Sequence, residues 1–370
     1  MATNNVKQIH QFEQSIWLDY IDRPIMNSGE LQRLIDEDGV RGLTSNPAIF
    51  EKAISSGSDY DADIQKLAQD GHDNEAIFYG LAVADIQRAA DLFKPVYEDE
   101  VRGADGYVSL EVSPWLARDT DGTIAQAREL WKAVDRENVM IKIPGTAEGL
   151  PAIQQAISEG ININVTLLFG LERYQAVVEA YIAGLEARDE AGQPVDSIAS
   201  VASFFLSRID VLVDPMLDEK GLGELKGEVA IALAKKAYEH YKEAFNSERF
   251  KKLAAKGAVP QRLLWASTGT KNPAFSDVKY VEALIGPKTV NTVPKETLDA
   301  FRDHGQAASR LESDTEGAMQ VLDRVTNAGI DLEAISQQLE AEGIEKFNQP
   351  YAKLLAAIDE QKAKSATGVA

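Results

Sequence analysis

Short stretches of this chain alternate apolar and polar residues with a period of two. Between them, apolar residues recur every three or four positions. The clearest alternation is Ile161-Asn162-Ile163-Asn164-Val165-Thr166-Leu167, with Ile161, Ile163 and Val165 on one face and Asn162, Asn164 and Thr166 on the other. Val108, Leu110 and Val112 alternate in the same way with Ser109 and Glu111, and Trp17 shares a face with Asp19. These and similar runs predict strands over 15–21, 40–47, 107–114, 138–143, 161–167, 197–205, 262–267 and 289–293. Helical periodicity predicts helices over 4–14, 28–38, 122–137, 147–158, 171–187 and 277–285, with two more inside 60–102. A helical excursion fills 209–256, and helices fill 295–363, broken near Gly329, Gly343 and Pro350.

Strands that alternate with helices imply a parallel sheet, because parallel neighbours need a crossover. The polar residues decide between an open sheet and a closed one. An open sheet covered by helices is apolar on both faces. Here Asp19, Asn46, Glu111, Lys142, Asn164, Thr166, Ser203 and Ser267 all occupy the second face, near the ends of their strands. That pattern predicts a single (β/α)8 TIM barrel over residues 1–370, with extra helices after strands 2 and 6 and at the C-terminus. The C-terminal helices, about 301–363, should pack on the barrel, serving either to cover it or to make subunit contacts. A barrel builds its active site on the C-terminal rim of the strands, where these eight residues lie.

Composition narrows the chemistry. Cysteine is absent, which removes disulfides, thiolate catalysis and cysteine metal sites, and suits a cytoplasmic protein. His10, His72, His240 and His304 are scattered, so no dedicated metal site is expected. No glycine-rich phosphate or dinucleotide loop follows a strand, and no cofactor is expected. The net charge of −21 argues against nucleic acid as a partner. No apolar run approaches a membrane span, and the first residues lack the basic start and apolar core of a signal peptide.

Lys142 stands alone among Val139, Met140, Ile141 and Ile143. A lysine in such a place either snorkels to water or is held where its amine can be neutral and attack a carbonyl to form a Schiff base. Schiff-base chemistry needs one carboxyl to shuttle protons while water leaves and another to take a hydroxyl proton as a carbon–carbon bond breaks. Glu111, on the neighbouring strand, suits the first task; Asp19, three strands away, suits the second. Asn46 and Asn164 can hold substrate hydroxyls or bond strand-end backbone.

The stretches Trp17-Leu18-Asp19-Tyr20, Gly42-Leu43-Thr44-Ser45-Asn46-Pro47-Ala48-Ile49-Phe50, Ser109-Leu110-Glu111-Val112-Ser113, Met140-Ile141-Lys142-Ile143-Pro144-Gly145-Thr146 and Gly160 through Phe169 closely resemble the transaldolase family, in the family's order. The resemblance covers about residues 15–300 and is greatest to the longer bacterial subfamily. It implies transfer of a dihydroxyacetone unit between sugar phosphates in the non-oxidative pentose phosphate pathway, by a monomer or homodimer. It also implies roles: Lys142 as the Schiff-base lysine, Asp19 as the acid–base of cleavage, and Glu111 with Thr166 on a catalytic water. Asn46, Asn164 and Ser203 would bind dihydroxyacetone hydroxyls, and Arg208 and Ser267 the phosphate. The family often has an arginine two residues after that serine; here the position is Gly269, and Lys271 is the cation beyond it.

Two other functions fit the same barrel. A fructose-6-phosphate aldolase would share the lysine, but that branch tends to carry Gln in place of Glu111 and Tyr in place of Phe205. A sugar-phosphate-binding barrel without catalysis would have no use for Asp19, Glu111 and Lys142 together.

Overall fold

A computed structural model describes residues 4–99 and 102–367. Eight parallel strands close on themselves in sequence order. They are β1 (Gln14–Asp19), β2 (Leu43–Thr44), β3 (Val108–Glu111), β4 (Val139–Pro144), β5 (Ile163–Leu168), β6 (Ser200–Phe205), β7 (Arg262–Ala266) and β8 (Thr289–Val293). β1 pairs with both β2 and β8, which seals the barrel. This is the predicted (β/α)8 barrel. No helix among the described residues is long and apolar enough to cross a membrane.

The outward faces of the strands make the core. Leu110, Ile141, Ile143, Ile163, Val165 and Phe204 are fully buried beneath the surrounding helices, and burying such side chains stabilises each by roughly 1.5–3 kcal/mol. Inside, Trp17 fills the barrel next to Gly42. A Cβ on Gly42 would stand 2.7 Å from the indole ring, so only glycine fits beside the tryptophan at the position that leads into β2.

Several elements depart from the sequence prediction. Residues 4–14 hold only a short helix, Asn5–Gln8, and a 3-10 turn, because β1 already begins at Gln14. β2 has two residues, since Asn46 caps the helix Pro47–Ser55 instead of extending the strand. Its side-chain oxygen accepts from Ile49 N, and Pro47 supplies the fixed φ of a first helical turn. The extra helices after strand 2 are therefore three: Pro47–Ser55, Asp61–Gln69 and Asn74–Tyr97. After strand 6 the excursion divides into Ser207–Glu219, Val229–Phe245 and Glu248–Ala254.

The largest departure is at the C-terminus. A single helix, Leu332–Thr367, runs through both Gly343 and Pro350, where breaks were predicted. Local propensity is overridden by packing. Ile344, Phe347, Tyr351, Leu354 and Ile358 form one buried stripe. Gly343 is the point of closest approach: a Cβ there would come within 3.0 Å of Leu167 and 3.4 Å of Phe169. The predicted break at Gly329 stands, between Thr315–Asn327 and the C-terminal helix.

Candidate active site

The strand register assembles the site. Glu111 pairs with Lys142 across β3 and β4, and Lys142 with Asn164 across β4 and β5. Three successive strands thus present a carboxyl, an amine and an amide at one level. Lys142 is only 5% exposed. Its Nζ lies 3.4 Å from Glu111 Oε2 and donates to the Ser45 carbonyl at 3.1 Å. The lysine therefore does not snorkel; it ends inside the barrel mouth.

Neither carboxylate oxygen of Glu111 has a hydrogen-bond partner among the described residues. Burial pushes its carboxyl up to about 7, against the pull of Lys142, with the charge of Asp19 adding to the rise. Glu111 can therefore exchange a proton near neutral pH. Asp19 is also pushed upward by burial, opposed by the Lys142 charge and by a hydrogen bond from Thr44, with Glu296 adding a small rise. Thr44 Oγ1 donates to Asp19 Oδ1 at 2.7 Å and lies 2.6 Å from Thr292 Oγ1. With the Thr44 proton committed to Asp19, Thr292 is the donor of that second bond.

Asn164 is fixed from two sides: its Nδ2 donates to Ser109 Oγ at 3.0 Å, and its Oδ1 accepts from Ser203 Oγ at 2.7 Å. This chain links β3, β5 and β6 across the barrel interior. Thr166 Oγ1 is buried without a partner, on the β5 side of the same mouth. Asn46 spends its oxygen on the helix cap, which leaves its amide nitrogen for a ligand. Phe205 meets Phe169 with ring centroids 5.2 Å apart.

Arg208 sits in the first turn of Ser207–Glu219. Burial pushes its guanidinium down, and Glu342 partly offsets that. Its Nη1 is buried without a hydrogen-bond partner, and its Cζ lies 5.9 Å from the Phe205 ring. The nearby carboxylates have other partners. Asp210 accepts from Tyr280 OH at 2.7 Å and Ala230 N at 2.9 Å, and Asp214 from Gly227 N at 2.9 Å. Ser267 adopts a left-handed backbone (φ 54°) and its hydroxyl is 2.9 Å from Ser207 Oγ. Such a φ is costly for serine and is held by the Ser207 N–H bond to the Ser267 carbonyl at 3.1 Å. Lys271 is exposed, but its Nζ folds back to 3.8 Å from where a Cβ on Gly269 would stand. The ammonium thus lies over the position at which the resemblance implies an arginine.

All eleven predicted site residues therefore lie around one barrel mouth. Sequence reasoning missed Thr44, Thr292 and Ser109, which hold Asp19 and Asn164. Thr44 was within reach, since it lies in the Thr-Ser-Asn-Pro stretch and pairs with Asp19 in register. It also missed Phe347 of the C-terminal helix, whose ring centroid is 5.9 Å from Lys142 Nζ. A cavity of about 980 Å³ opens elsewhere, at the N-terminal end of the barrel, lined by Gln14, Tyr107, Asn162 and Arg262 among others.

Barrel and site together define an enzyme-like class: a (β/α)8 barrel that buries one lysine beside a titratable carboxyl at its C-terminal mouth. A family model for "Transaldolase/Fructose-6-phosphate aldolase" matches residues 16–358. The chain is 50% identical to a transaldolase of Trichodesmium erythraeum over 377 aligned residues, covering 98% of this chain and 99% of that one. It is 48% identical to a transaldolase of Saccharopolyspora erythraea, with 98% and 99% covered, and 47% identical to transaldolase 2 of Nostoc punctiforme, with 98% of both covered. The chain belongs to the transaldolase/fructose-6-phosphate aldolase family, and it is an enzyme of the transaldolase type.

Proposed function

We propose that the protein transfers a dihydroxyacetone unit from a ketose phosphate to an aldose phosphate through a Schiff base on Lys142. The observation that carries this reading is the buried amine, 3.4 Å from a carboxylate with no hydrogen-bond partner. An ion pair kept only for stability would have its oxygens satisfied.

In this reading Lys142 Nζ attacks the ketose carbonyl. Glu111 passes the proton that lets water leave, with Thr166 orienting that water. The resulting iminium withdraws electrons, so the carbon–carbon bond can break as Asp19 takes the proton of the adjacent hydroxyl. Thr44 and Thr292 hold Asp19 for this step. Asn46, Asn164 and Ser203 bind the hydroxyls of the three-carbon unit. Arg208, Ser267 and Lys271 bind phosphate; the unpartnered Arg208 Nη1 supports this, as does the ammonium over Gly269. Glu111 and Phe205 favour transfer over simple aldol cleavage. The substrates are sugar phosphates, and the reaction belongs to the non-oxidative pentose phosphate pathway of the cytoplasm.

Borohydride reduction in the presence of fructose 6-phosphate tests the reading. Peptide mapping should find the three-carbon adduct on Lys142 alone. Lys142→Arg should fold, form no adduct and lose activity to background, because arginine stays charged. A label on another lysine refutes the assignment.

A further inference from the structure

The C-terminal helix Leu332–Thr367 crosses the barrel mouth and is fastened on both sides of it. On the β5 side, Arg173 Nε binds Glu340 Oε2 at 3.1 Å. Gly343 seats the helix against Leu167 and Phe169. On the β2–β3 side, Tyr351 OH donates to Glu75 at 2.7 Å, and the Tyr351 and Phe78 rings pack edge-on at 5.6 Å. Asn74 Nδ2 reaches the Leu355 carbonyl at 3.2 Å. Phe347 falls between these two fastenings, directly over Lys142. It is 7% exposed, so its ring is a ceiling and not a surface group.

A ceiling at this place matters to one step. Cleavage of the ketose phosphate leaves an enamine on Lys142. Two fates compete for it. In transfer, the enamine carbon attacks the acceptor aldehyde, a new carbon–carbon bond forms, and the proton held by Asp19 goes to the aldehyde oxygen. In release, the same carbon takes a proton from water, water then adds to the iminium, and dihydroxyacetone leaves with the amine restored. The net release reaction splits a ketose phosphate into dihydroxyacetone and an aldose phosphate. It consumes no oxidant, reductant or other reactant. What separates the two fates is how freely bulk water reaches the enamine.

The geometry points to Phe347 as the specificity-determining residue that keeps bulk water from this intermediate, so that the unit is transferred and not released. Phe169 and Phe205, 5.2 Å apart, form the adjoining apolar wall. The helix brings Phe347 in from outside the barrel, and among the described residues no barrel strand supplies an aromatic ring over the amine. This inference rests on the Schiff-base reading above.

The test uses the full-length protein with fructose 6-phosphate, with and without erythrose 4-phosphate. Two quantities are read: dihydroxyacetone released, and sedoheptulose 7-phosphate formed. Phe347→Ala should raise the ratio of release to transfer by about tenfold or more, equivalent to roughly 1.4 kcal/mol. In deuterated water the released dihydroxyacetone should carry deuterium at the former enamine carbon. Phe347→Leu, which keeps an apolar ceiling and a milder change in volume, should remain near the parent ratio. Should Phe347→Ala fail to fold, Phe347→Ser and Phe347→Val take the place of the pair, with the higher ratio expected for serine. A ratio unchanged within about twofold, with trapping at Lys142 intact, overturns the role of Phe347 alone. A parent enzyme that traps nothing at Lys142 overturns the Schiff-base reading, and this inference with it.

Discussion

The two ends of the barrel bury the same kinds of residue and treat them differently. At the N-terminal end, Asp105 accepts from Ser15 Oγ at 2.5 Å and Trp17 Nε1 at 2.9 Å, and pairs with Arg262 Nη1 at 3.3 Å. Arg262 in turn donates to Ser15 Oγ at 2.7 Å and to the Thr289 and Ala104 carbonyls at 2.8 and 3.0 Å. Gln14 Oε1, Gln261 Oε1 and Arg262 Nε stay without a partner there, but both oxygens of the buried carboxylate Asp105 are hydrogen-bonded. At the C-terminal end, Glu111 meets Lys142 at 3.4 Å but neither of its oxygens has a hydrogen-bond partner among the described residues, and Thr166 Oγ1 and Arg208 Nη1 also lack one. A satisfied network holds a fold together; an unsatisfied one keeps its groups available to a ligand. The buried carboxylate is hydrogen-bonded through both oxygens at one end and through neither at the other, and the proposed chemistry uses the second.

Removing Asp105 should produce the largest effect on stability. Asp105→Ala leaves Arg262 without its buried counter-charge, which costs about 3–5 kcal/mol. Urea unfolding measures the loss, while activity per folded molecule should stay at the parent level. Equal loss of both would mean that the two ends are coupled and that the contrast fails.

At the C-terminal end the pattern should reverse. Arg208→Ala should leave stability nearly unchanged and raise KM for fructose 6-phosphate roughly 10- to 100-fold, the worth of a charged hydrogen bond of about 1.5–3 kcal/mol. The reaction of an unphosphorylated ketose should hardly change. A destabilised variant with an unaltered KM would assign Arg208 to the fold.

Asp210 sharpens the contrast, because it lies near the active mouth yet is satisfied like Asp105. Burial pushes its carboxyl up to about 7, against bonds from Tyr280 and Ala230. The folded state therefore holds a proton that the unfolded state has released. The stability this adds is complete below the unfolded value near 4 and is lost as pH rises towards 7, by at most about 1.4 kcal/mol per pH unit. Relative to Asp210→Asn, the parent should lose unfolding free energy between pH 4 and 7; parallel curves would refute this. Lys271→Ala should have the smallest effect. Its KM for fructose 6-phosphate should rise by more than about twofold, or 0.4 kcal/mol, and a smaller change makes Lys271 a surface charge.

Much of this arrangement was legible in the sequence, for a definite reason. A closed barrel forces apolar residues outward, so a polar residue on the other face of a strand stands out. Asp19, Glu111, Lys142 and Asn164 were found by that contrast alone. Thr292 was not, because its importance depends on contact with Thr44 across β1, which exists only once β8 closes the barrel. The C-terminal helix was misread because glycine and proline are local signals, whereas its continuity comes from a stripe of side chains packed on distant elements. Phe347 was invisible for the same reason. Nothing in its own neighbourhood in the chain marks it as lying above a lysine of β4.

That placement has a consequence for how the protein is made. Translation completes β8, and with it every strand of the barrel, before it reaches Phe347. Without the segment that carries Phe347 the eight strands would hold Lys142 under an open mouth. Tyr351 fastens the segment that carries the ceiling, through Glu75 and Phe78. Of the site residues named around the mouth, Phe347 is the last to be synthesised, so the ring proposed to shield the amine is the last to arrive.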